Sequence, residues 1–590
     1  EDERIELRKA LHAAKLVHLA DLYLNRESGS NQSTLGKGSM SEATKTNVAE
    51  SNIKVLPTSD NKKIAKILQG ITREEITKVK SSALDITYSM WDFGGQEIYY
   101  ITHPLFLSWR SLYILVIPLH LELSEGAPRE EDAGNAQKEL QGSAVRTHST
   151  ILDAVNFWLM SVYTHAVPDS HLDSAYEPKV LLIGTFAGGE SMRISKEKVD
   201  SKVQELKDFI QSKPYQDQVL FPICVIDNQC SPTSEVNAIQ DCIDEHIKNS
   251  EYMKVQKPVR WRTFLTEIED SDQNTLTVKE ARSMMNSLGI NDDEEMDDVL
   301  KFYHDIGHLI YHQGCKLIVL KPQFLNSIVS SIITVIDDKK MPGVLAQYWK
   351  DLKAKGILSI ELIQAVWEEH GGDLKQLDNI IDLMIMFDLI CEIPVNDGGR
   401  RRFFVPCRSS PMLPGKECYD RDHTVEFTID FHHFLPDGFL HRFYVRMAKW
   451  SMKKKKSIKP TFHCRQMVFY VDSRHRLVMK NEINSTECHQ IKVKVNAVVP
   501  FSAQSEREPA TVNLNENIFD DLHDTLDDLK KRWARRIQYS VGILCPNCST
   551  NGKKELIPMK DILTDQDEFA SCDNGCPVDV SDILRAFNKG

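Results

Sequence analysis

Residues 92–96 combine an acid, two glycines and an amide in the order Asp-Phe-Gly-Gly-Gln. A carboxylate such as Asp92 can bind Mg²⁺ through water, and a neighbouring glycine lets a backbone N–H approach a phosphate because no Cβ intervenes. A glutamine shortly afterwards can orient an attacking water. Gly94, Gly95 and Gln96 therefore fit a phosphate-sensing switch in which Asp92 binds the metal ion. A tight turn that needs glycine is the alternative.

Four cysteines near the C-terminus form a second set of residues that could do chemistry. They have the form C-x2-C followed by C-x3-C: Cys545, Cys548, Cys572 and Cys576. Two close thiolate pairs suit a tetrahedral Zn²⁺ ion, and coordination by protein ligands alone would make the ion structural. Four reduced thiols on loops are the alternative interpretation.

The elements that must position Asp92 and its neighbours are predicted to alternate between strand and helix. Strands are predicted at 83–92, 111–119, 179–185 and 219–227, and helices at 149–165, 195–212 and 234–248. Runs such as "SLYILVIPL" and "KVLLIGT" are apolar on both faces, which is typical of a parallel sheet covered by helices. Ligands bind at the carboxyl ends of such strands. The pattern therefore predicts an α/β domain whose site lies at that edge, where Asp92 stands.

The pattern changes after about residue 255. Residues 277–415 are predicted to be mainly helical, with one hairpin in which Asn-Asp-Gly-Gly at 396–399 joins two apolar segments. Helices followed by such a hairpin predict a winged-helix-like arrangement. Strands dominate 420–500, and an amphipathic helix is predicted at 516–538. The later chain is therefore predicted to be α+β.

Composition excludes several classes of protein. The 590 residues are 41% hydrophobic and 27% charged, as in ordinary globular proteins of several domains. A net charge of -13 gives no global attraction to nucleic acid, and the longest apolar runs are about half of the roughly 20 residues that a membrane span needs. Most of the 13 cysteines are lone residues in apolar segments, and no signal peptide precedes them. These features, with Glu as the first residue, predict a fragment or a processed product with reduced thiols in the cytoplasm.

Several stretches resemble one family. "WDFGGQEIYYITHPLFLSWRSLYILV" resembles the second switch and following strand of Roc, the Ras-like GTPase domain of the Roco family. "FYHDIGHLIYHQGCKLIVLKPQFLNSIVSSII", "RRFFVPC" and "FLPDGFLHRFYVRM" resemble the COR domain that follows Roc. The resemblance covers about 64 to 540. It implies a P-loop NTPase type of fold, GTP or GDP with Mg²⁺ as cofactors, homodimerisation through COR, and protein signalling partners.

The resemblance also assigns roles and domains. Asp92 would be the Mg²⁺ acid, Gly94 and Gly95 the γ-phosphate contacts, and Gln96 the catalytic residue that positions water. The implied segments are an N-terminal helix and mobile loop at 1–63, a Roc-like domain at 64–255, a winged-helix-like half of COR at 256–417, a mixed β half at 418–540, and a cysteine-containing tail at 541–590.

Three nucleotide-binding elements depart from the family pattern. The nearest candidate for the phosphate loop is "GSNQSTLGKGSM", in which Lys37 is followed by Gly38 and not by Ser or Thr. A flexible Ser-rich loop is the alternative there. Leu68 stands where the first switch of the family has threonine, so the hydroxyl for Mg²⁺ is absent. Phe-Ala-Gly at 186–188 replaces His-x-Asp, and the charge-assisted contact of that acid to guanine is lost with it.

These observations predict a Roc–COR module of an intracellular signalling protein, with a guanine-nucleotide-linked switch and a homodimerisation or scaffold role. The three departures leave a pseudo-GTPase scaffold without nucleotide as an alternative. A further alternative is the regulatory part of a Roco serine/threonine kinase whose kinase domain lies outside this chain, since no kinase motif set occurs within it. Enzymatic activity stays open, because no complete catalytic site is visible.

Overall fold

The computed structural model describes the chain in segments. The described residues are 89–93, 102–124, 150–167, 178–187, 194–227, 231, 233–253, 255–333, 343, 345–394, 399–409, 424–432, 434–454, 461–463, 466–471, 475–485, 488–497, 517–547, 555–565 and 567–587. The chain divides into two units, Glu1–Asp92 and Phe93–Gly590, and the helices and strands given below belong to the second.

The end of the predicted strand 83–92 is irregular. Ser89–Asp92 adopt no strand conformation, while residues 83–88 lie outside the described part. Met90, an apolar residue of this segment, is 91% exposed. The strand prediction is therefore wrong for residues 89–92, because the pattern has no buried face there.

The described residues of the parallel-sheet domain, which lie between 102 and 253, form three strands in the order β1–β2–β3. They are β1 Tyr113–Pro118, β2 Val180–Thr185 and β3 Val219–Val225, and both pairings are parallel. Every residue of β2 is buried, as expected of a central strand in a covered sheet. The predicted strands at 111–119, 179–185 and 219–227 are confirmed, with ends shifted by up to two residues.

Three helices accompany this sheet: α1 Ile151–His165, α2 Lys196–Gln211 and α3 Thr233–Asn249. They confirm the predicted helices. A capping box begins α1, in which the Thr150 hydroxyl accepts from Asp153 N and the Asp153 carboxylate accepts from Thr150 N. Side chains of α1 and α2 share one core with all three strands. Short 3₁₀ turns lie at His103–Leu105, Gln216–Gln218, Glu251–Met253 and Leu374–Gln376.

The helical half, residues 255–409, follows. Its elements are α4 Val259–Glu269, β4 Thr275–Thr277, α5 Val278–Ser287, α6 Asp293–Asp305, β5 Leu317–Val319, α7 Pro322–Ile333, α8 Ala346–Lys355, β6 Gly356–Ser359, α9 Ile360–Glu369, α10 Leu377–Met386, β7 Cys391–Ile393 and β8 Arg402–Ser409. Antiparallel pairing of β7 with β8 confirms the predicted hairpin. Two features were not predicted: β6 extends the hairpin to a sheet of order β6–β8–β7, and β4 pairs with β5.

The mixed β half, residues 424–547, and the C-terminal tail, residues 555–587, share one core. Their elements are β9 Thr424–Asp430, α11 Asp437–Lys454, β10 Thr461–His463, β11 Gln466–Tyr470, β12 His475–Ser485, β13 Cys488–Ala497, α12 Asn517–Trp533, β14 Ser540–Leu544, β15 Leu556–Pro558, α13 Met559–Asp565, β16 Phe569–Ser571, β17 Pro577–Asp579 and α14 Ser581–Ala586. Seven strands form an antiparallel sheet of order β10–β11–β12–β13–β9–β14–β15. Strand β9 is therefore an interior strand of the sheet, although it is the first of the seven in the chain.

The helix predicted at 516–538 ends earlier than expected. It stops at Trp533, and Ala534 and Ile537 turn into the core on the way to β14. A helix of the predicted length would carry these apolar side chains away from that core. None of the described helices combines the length and apolar character that a membrane crossing requires. The domain boundaries after residues 63, 255, 417 and 540 stay predictions.

Candidate functional site

The carboxyl edge of the parallel sheet is where a nucleotide site was predicted. Leu119 N donates to Thr185 O at 3.0 Å, which carries the pairing one residue past β1. The buried Thr185 hydroxyl donates to Ile117 O at 3.3 Å. The hydroxyl of Thr185 is therefore engaged within the sheet.

A buried lysine holds the loop after β1. Lys202 lies on α2, and its side chain is 4% exposed. Its Nζ donates to Leu119 O at 3.0 Å and to Leu121 O at 2.7 Å, and Glu122 lies 3.4 Å away. Glu122 also pairs with Lys198 at 2.6 Å, and the Lys198 hydrogen bond lowers the pKa of the Glu122 carboxyl. Lys202 therefore fixes the backbone beside the site. The sequence alone does not indicate this role, because a lysine in an amphipathic helix is usually expected on the surface.

Two aromatic rings meet at the carboxyl edge of the sheet, that of His120 after β1 and that of Phe186 after β2. Phe186 has a φ of 60° and is 42% exposed, and its ring meets the His120 ring edge-on with centroids 4.5 Å apart. Positive φ is unusual for a bulky residue, whereas histidine adopts it more often. The position that resembles the histidine of the family's His-x-Asp thus presents an aromatic face here. Such a face can stack on a base but cannot accept its N–H groups.

The structure does not bring the predicted switch residues together within its described part. Asp92 is exposed in the first unit. The other residues of the nucleotide prediction lie outside the described residues: Lys37, Leu68, Gly94, Gly95, Gln96 and Gly188. Their roles stay predictions.

Phe93, within the same motif, belongs to an aromatic cluster on α1. Its ring meets His103 at 5.2 Å and Trp158 at 6.4 Å between centroids, and His103 stacks on Trp158 at 5.0 Å. Burial lowers the pKa of His103 to about 4, so the imidazole is neutral near pH 7. The cluster links the residue after Asp92 to a helix of the parallel-sheet domain.

That helix ends in a buried junction with the mixed β half. His165 is the last residue of α1, and its Nδ1 is hydrogen-bonded to Trp533 O. Burial lowers the pKa of His165 to about 4. The hydrogen bond to Trp533 opposes this lowering, and the charge of Arg442 adds a smaller lowering. The neutral ring therefore donates from Nδ1. Two residues earlier, Tyr163 O accepts from Arg536 Nη1 at 3.5 Å, and the Arg536 guanidinium lies 4.5 Å from the Tyr163 ring centroid.

Trp533 also contacts the helical half. Its indole lies 5.9 Å from the Phe387 ring and 6.1 Å from the His312 ring, between centroids. The guanidinium of Arg442 stacks on it at 4.3 Å. Arg442 is 1% exposed and donates to Phe387 O at 3.2 Å and Gly438 O at 2.9 Å. The Trp533 junction, defined as His165, His312, Phe387, Arg442 and Trp533, thus joins three parts of the chain.

One feature of the sequence indicates a buried charge at this junction. Arg442 interrupts the helical run "FLHRFYVRM", whose aromatic neighbours Phe439, Phe443 and Tyr444 are all buried. A charged residue surrounded by core positions on every side of a helix must be hydrogen-bonded inside the protein. Burial lowers the pKa of Arg442 to about 10, opposed by Asp388, so the guanidinium stays charged near pH 7.

The structure brings three of the four predicted zinc ligands together. The ligand atoms of Cys545, Cys572 and Cys576 all lie within 4.8 Å of one another, two of them buried and the third half-buried. Cys548 lies outside the described residues. Two other cysteines are buried: burial raises the pKa of Cys315 to about 11 and of Cys391 to about 12. Cys224 is only half-buried.

Two family models match the chain in tandem. One, described as "C-terminal of Roc, COR-A domain", matches residues 258–407, and the other, described as "C-terminal of Roc, COR-B domain", matches residues 422–572. The helical half and the mixed β half therefore correspond to these two models.

Three curated proteins of Dictyostelium discoideum are similar to parts of the chain. "Probable serine/threonine-protein kinase pats1" is 25% identical over 313 residues, 52% of this chain and 8% of that protein. "Cyclic GMP-binding protein C" is 22% identical over 263 residues, 42% of this chain and 8% of that protein. "Probable serine/threonine-protein kinase roco5" is 53% identical over 34 residues, 6% of this chain and 1% of that protein. The chain thus spans less than a tenth of these relatives.

Among solved structures, the chain is similar to Methanosarcina barkeri Roco2 RocCORdC bound to GDP. Identity is 19%, the TM-score is 0.34, and the match covers 54% of this chain and 78% of that one.

Proposed function

The chain belongs to the Roco family, and we propose that it acts as a Roc–COR module in which a Ras-like domain at 64–255 transmits its guanine-nucleotide state to COR. The Trp533 junction is the observation that carries this proposal. Through it, the last turn of α1 contacts the COR-B helix α12 directly, and α12 contacts the COR-A residue Phe387. A shift of α1 would therefore act on both halves of COR at once.

The nucleotide site of this proposal has weak base recognition. The base-reading position carries Phe186 in place of a histidine and Gly188 in place of an acid, so a ring face is present and the carboxylate is not. Asp92 would hold Mg²⁺, Gly94 and Gly95 would contact the terminal phosphate, and Gln96 would position the attacking water. We expect the full chain to bind GDP and ADP with affinities within about tenfold of each other, because a hydrophobic contact alone discriminates poorly.

Restoring the acid tests the site directly. In the double variant Phe186→His with Gly188→Asp, GDP should bind about 10- to 150-fold more tightly than ADP, since hydrogen bonds to a charged group contribute about 1.5–3 kcal/mol. Calorimetric titration with Mg²⁺ measures both affinities. Phe186→His alone is the matched control, because it suits the positive φ but adds no carboxylate. If neither the native chain nor the double variant binds GDP at about 1 mM, where binding contributes only about 4 kcal/mol, the switch is rejected.

A scaffold without nucleotide is the second candidate, and the geometry of Phe186 favours it. An aromatic ring paired with His120 at the base-reading position needs no ligand to be stable. Under this candidate the junction serves only to hold Roc against COR. If neither the native chain nor the double variant Phe186→His with Gly188→Asp binds GDP, this candidate is supported.

Two further proposals rest on family membership. We propose that the chain forms homodimers through COR, and light scattering that returns the mass of one chain at micromolar concentration would reject this. Two relatives bear serine/threonine kinase names, so the module is also a candidate regulator of a kinase within a longer cytoplasmic protein. Sequencing the parent transcript on both sides of these 590 residues decides that point.

A further inference from the structure

The C-terminal tail contains a thiol cluster that is independent of the nucleotide site. Cys545 follows β14, Cys572 follows β16, and Cys576 precedes β17. Zinc–sulfur bonds of about 2.3 Å place the sulfurs of a tetrahedral site about 3.8 Å apart. The three sulfurs, within 4.8 Å of one another, need to move by only about 1 Å to satisfy that geometry.

The backbone around two of the thiols is shaped to turn both toward one point. Gly575 N donates to Cys572 O at 2.7 Å, and Cys572 N donates to Cys576 O at 3.3 Å. Gly575 has a φ of +74°, which residues with a Cβ rarely adopt. This turn therefore presents Cys572 and Cys576 side by side, as a metal-binding knuckle does.

Glu555 connects this turn to the third thiol. Its backbone carbonyl accepts from Cys545 N at 2.8 Å, and its carboxylate accepts from Asn574 N at 3.2 Å and from Asn574 Nδ2. One residue thus orients both sides of the cluster. Groups that orient the ligands in this way are characteristic of metal sites.

We propose that Cys545, Cys572 and Cys576 hold a structural zinc ion that fastens the C-terminal tail to the COR-B sheet. The tail needs such support because its elements are short: β16 and β17 have three residues each and α14 has six. Elements of this size are not stable by themselves. The tail buries Val578, Val580 and Leu584 in the COR-B core, so releasing it would expose part of that core.

The matched COR-B region ends at Cys572, so it includes two of the three thiols and leaves out Cys576. Zinc binding would therefore make the tail a part of the COR-B domain.

Metal analysis of the purified full chain tests the proposal. After dialysis under reducing conditions, mass spectrometry of the metals should find about one zinc per chain, as a tetrahedral thiolate site holds one ion. Cys572→Ser and Cys545→Ser should each lose the zinc, whereas Cys242→Ser, a half-buried cysteine on α3, should keep it. Cys548→Ser identifies the fourth ligand: loss of zinc assigns that thiolate, and retained zinc assigns another ligand to a site that still exists.

Cobalt substitution keeps the test decisive if a cysteine variant fails to fold. Co²⁺ added to the zinc-depleted native chain should give the visible bands of a tetrahedral thiolate centre, and Zn²⁺ should abolish them. Chelation should also accelerate deuterium uptake at 567–587 more than at β1–β3. Substoichiometric zinc without cobalt bands, or a disulfide among these cysteines in the native chain, overturns the proposal. Neither result bears on the nucleotide proposal, which the GDP titration tests separately.

Discussion

Replacing Asp388 with alanine should lower the free energy of the COR unfolding transition by about 3–5 kcal/mol, because it leaves two cations without their shared buried partner. The Asp388 side chain is 1% exposed and accepts from Arg446 Nε at 2.6 Å and from Lys449 Nζ at 2.9 Å. Both cations lie on α11 of COR-B, whereas Asp388 follows α10 of COR-A. This carboxylate therefore joins the two halves.

The backbone of Asp388 adds to the effect. Its φ is 53°, and aspartate tolerates this left-handed region better than alanine does. Asp388→Asn keeps that tolerance and one acceptor, so it should fall between the native chain and Asp388→Ala. Urea unfolding followed by tryptophan fluorescence measures the series.

Asp378 provides the matched control. It pairs with Arg401 at 2.8 Å but is 82% exposed, and exposed ion pairs contribute about 0–1 kcal/mol. Asp378→Ala should therefore leave the transition almost unchanged. A loss in Asp388→Ala no larger than in Asp378→Ala would show that the buried carboxylate does not hold the halves together.

Replacing Trp533 with alanine should have the second large effect, since truncating a large aromatic side chain in a core costs about 3–5 kcal/mol. The indole packs against both COR cores and carries the Arg442 guanidinium on its face. Without it, the end of α12 loses its side-chain anchor, and the backbone carbonyl of residue 533, which accepts from His165, is no longer held in place. We expect calorimetric melting to separate into a Roc transition and a COR transition.

Two variants separate this coupling from a general loss of stability. Trp533→Phe keeps an aromatic face for Arg442 and should retain most of the coupling. Trp450→Ala removes a half-buried indole that donates to Asp521 at 2.9 Å within COR-B and belongs only to the COR-B core. It should lower stability without separating the transitions. Separation in both Trp450→Ala and Trp533→Ala would contradict a specific role for Trp533.

Local pattern predicted much of this fold because it reports on neighbours along the chain. The apolar runs of β1 and β2, the hairpin of β7 and β8, and the meeting of Cys545 with Cys572 and Cys576 all follow from spacing. The exposure of Met90 and the end of α12 at Trp533 could not be predicted from spacing, because each depends on partners far away in sequence. The same holds for Asp388 and Trp533, whose roles arise from contacts between COR-A and COR-B.

The position of β9 has a consequence for synthesis on the ribosome. Asp430 in β9 pairs with Gln490 on one side and with Ser540 on the other, so this interior strand is made long before its second neighbour. At 5–20 residues per second, this interval lasts roughly 5–20 s. During it, Val425, Phe427 and Ile429 have no complete sheet in which to be buried. The nascent chain therefore passes through an aggregation-prone interval, in which a chaperone that shields apolar strands would act on COR-B.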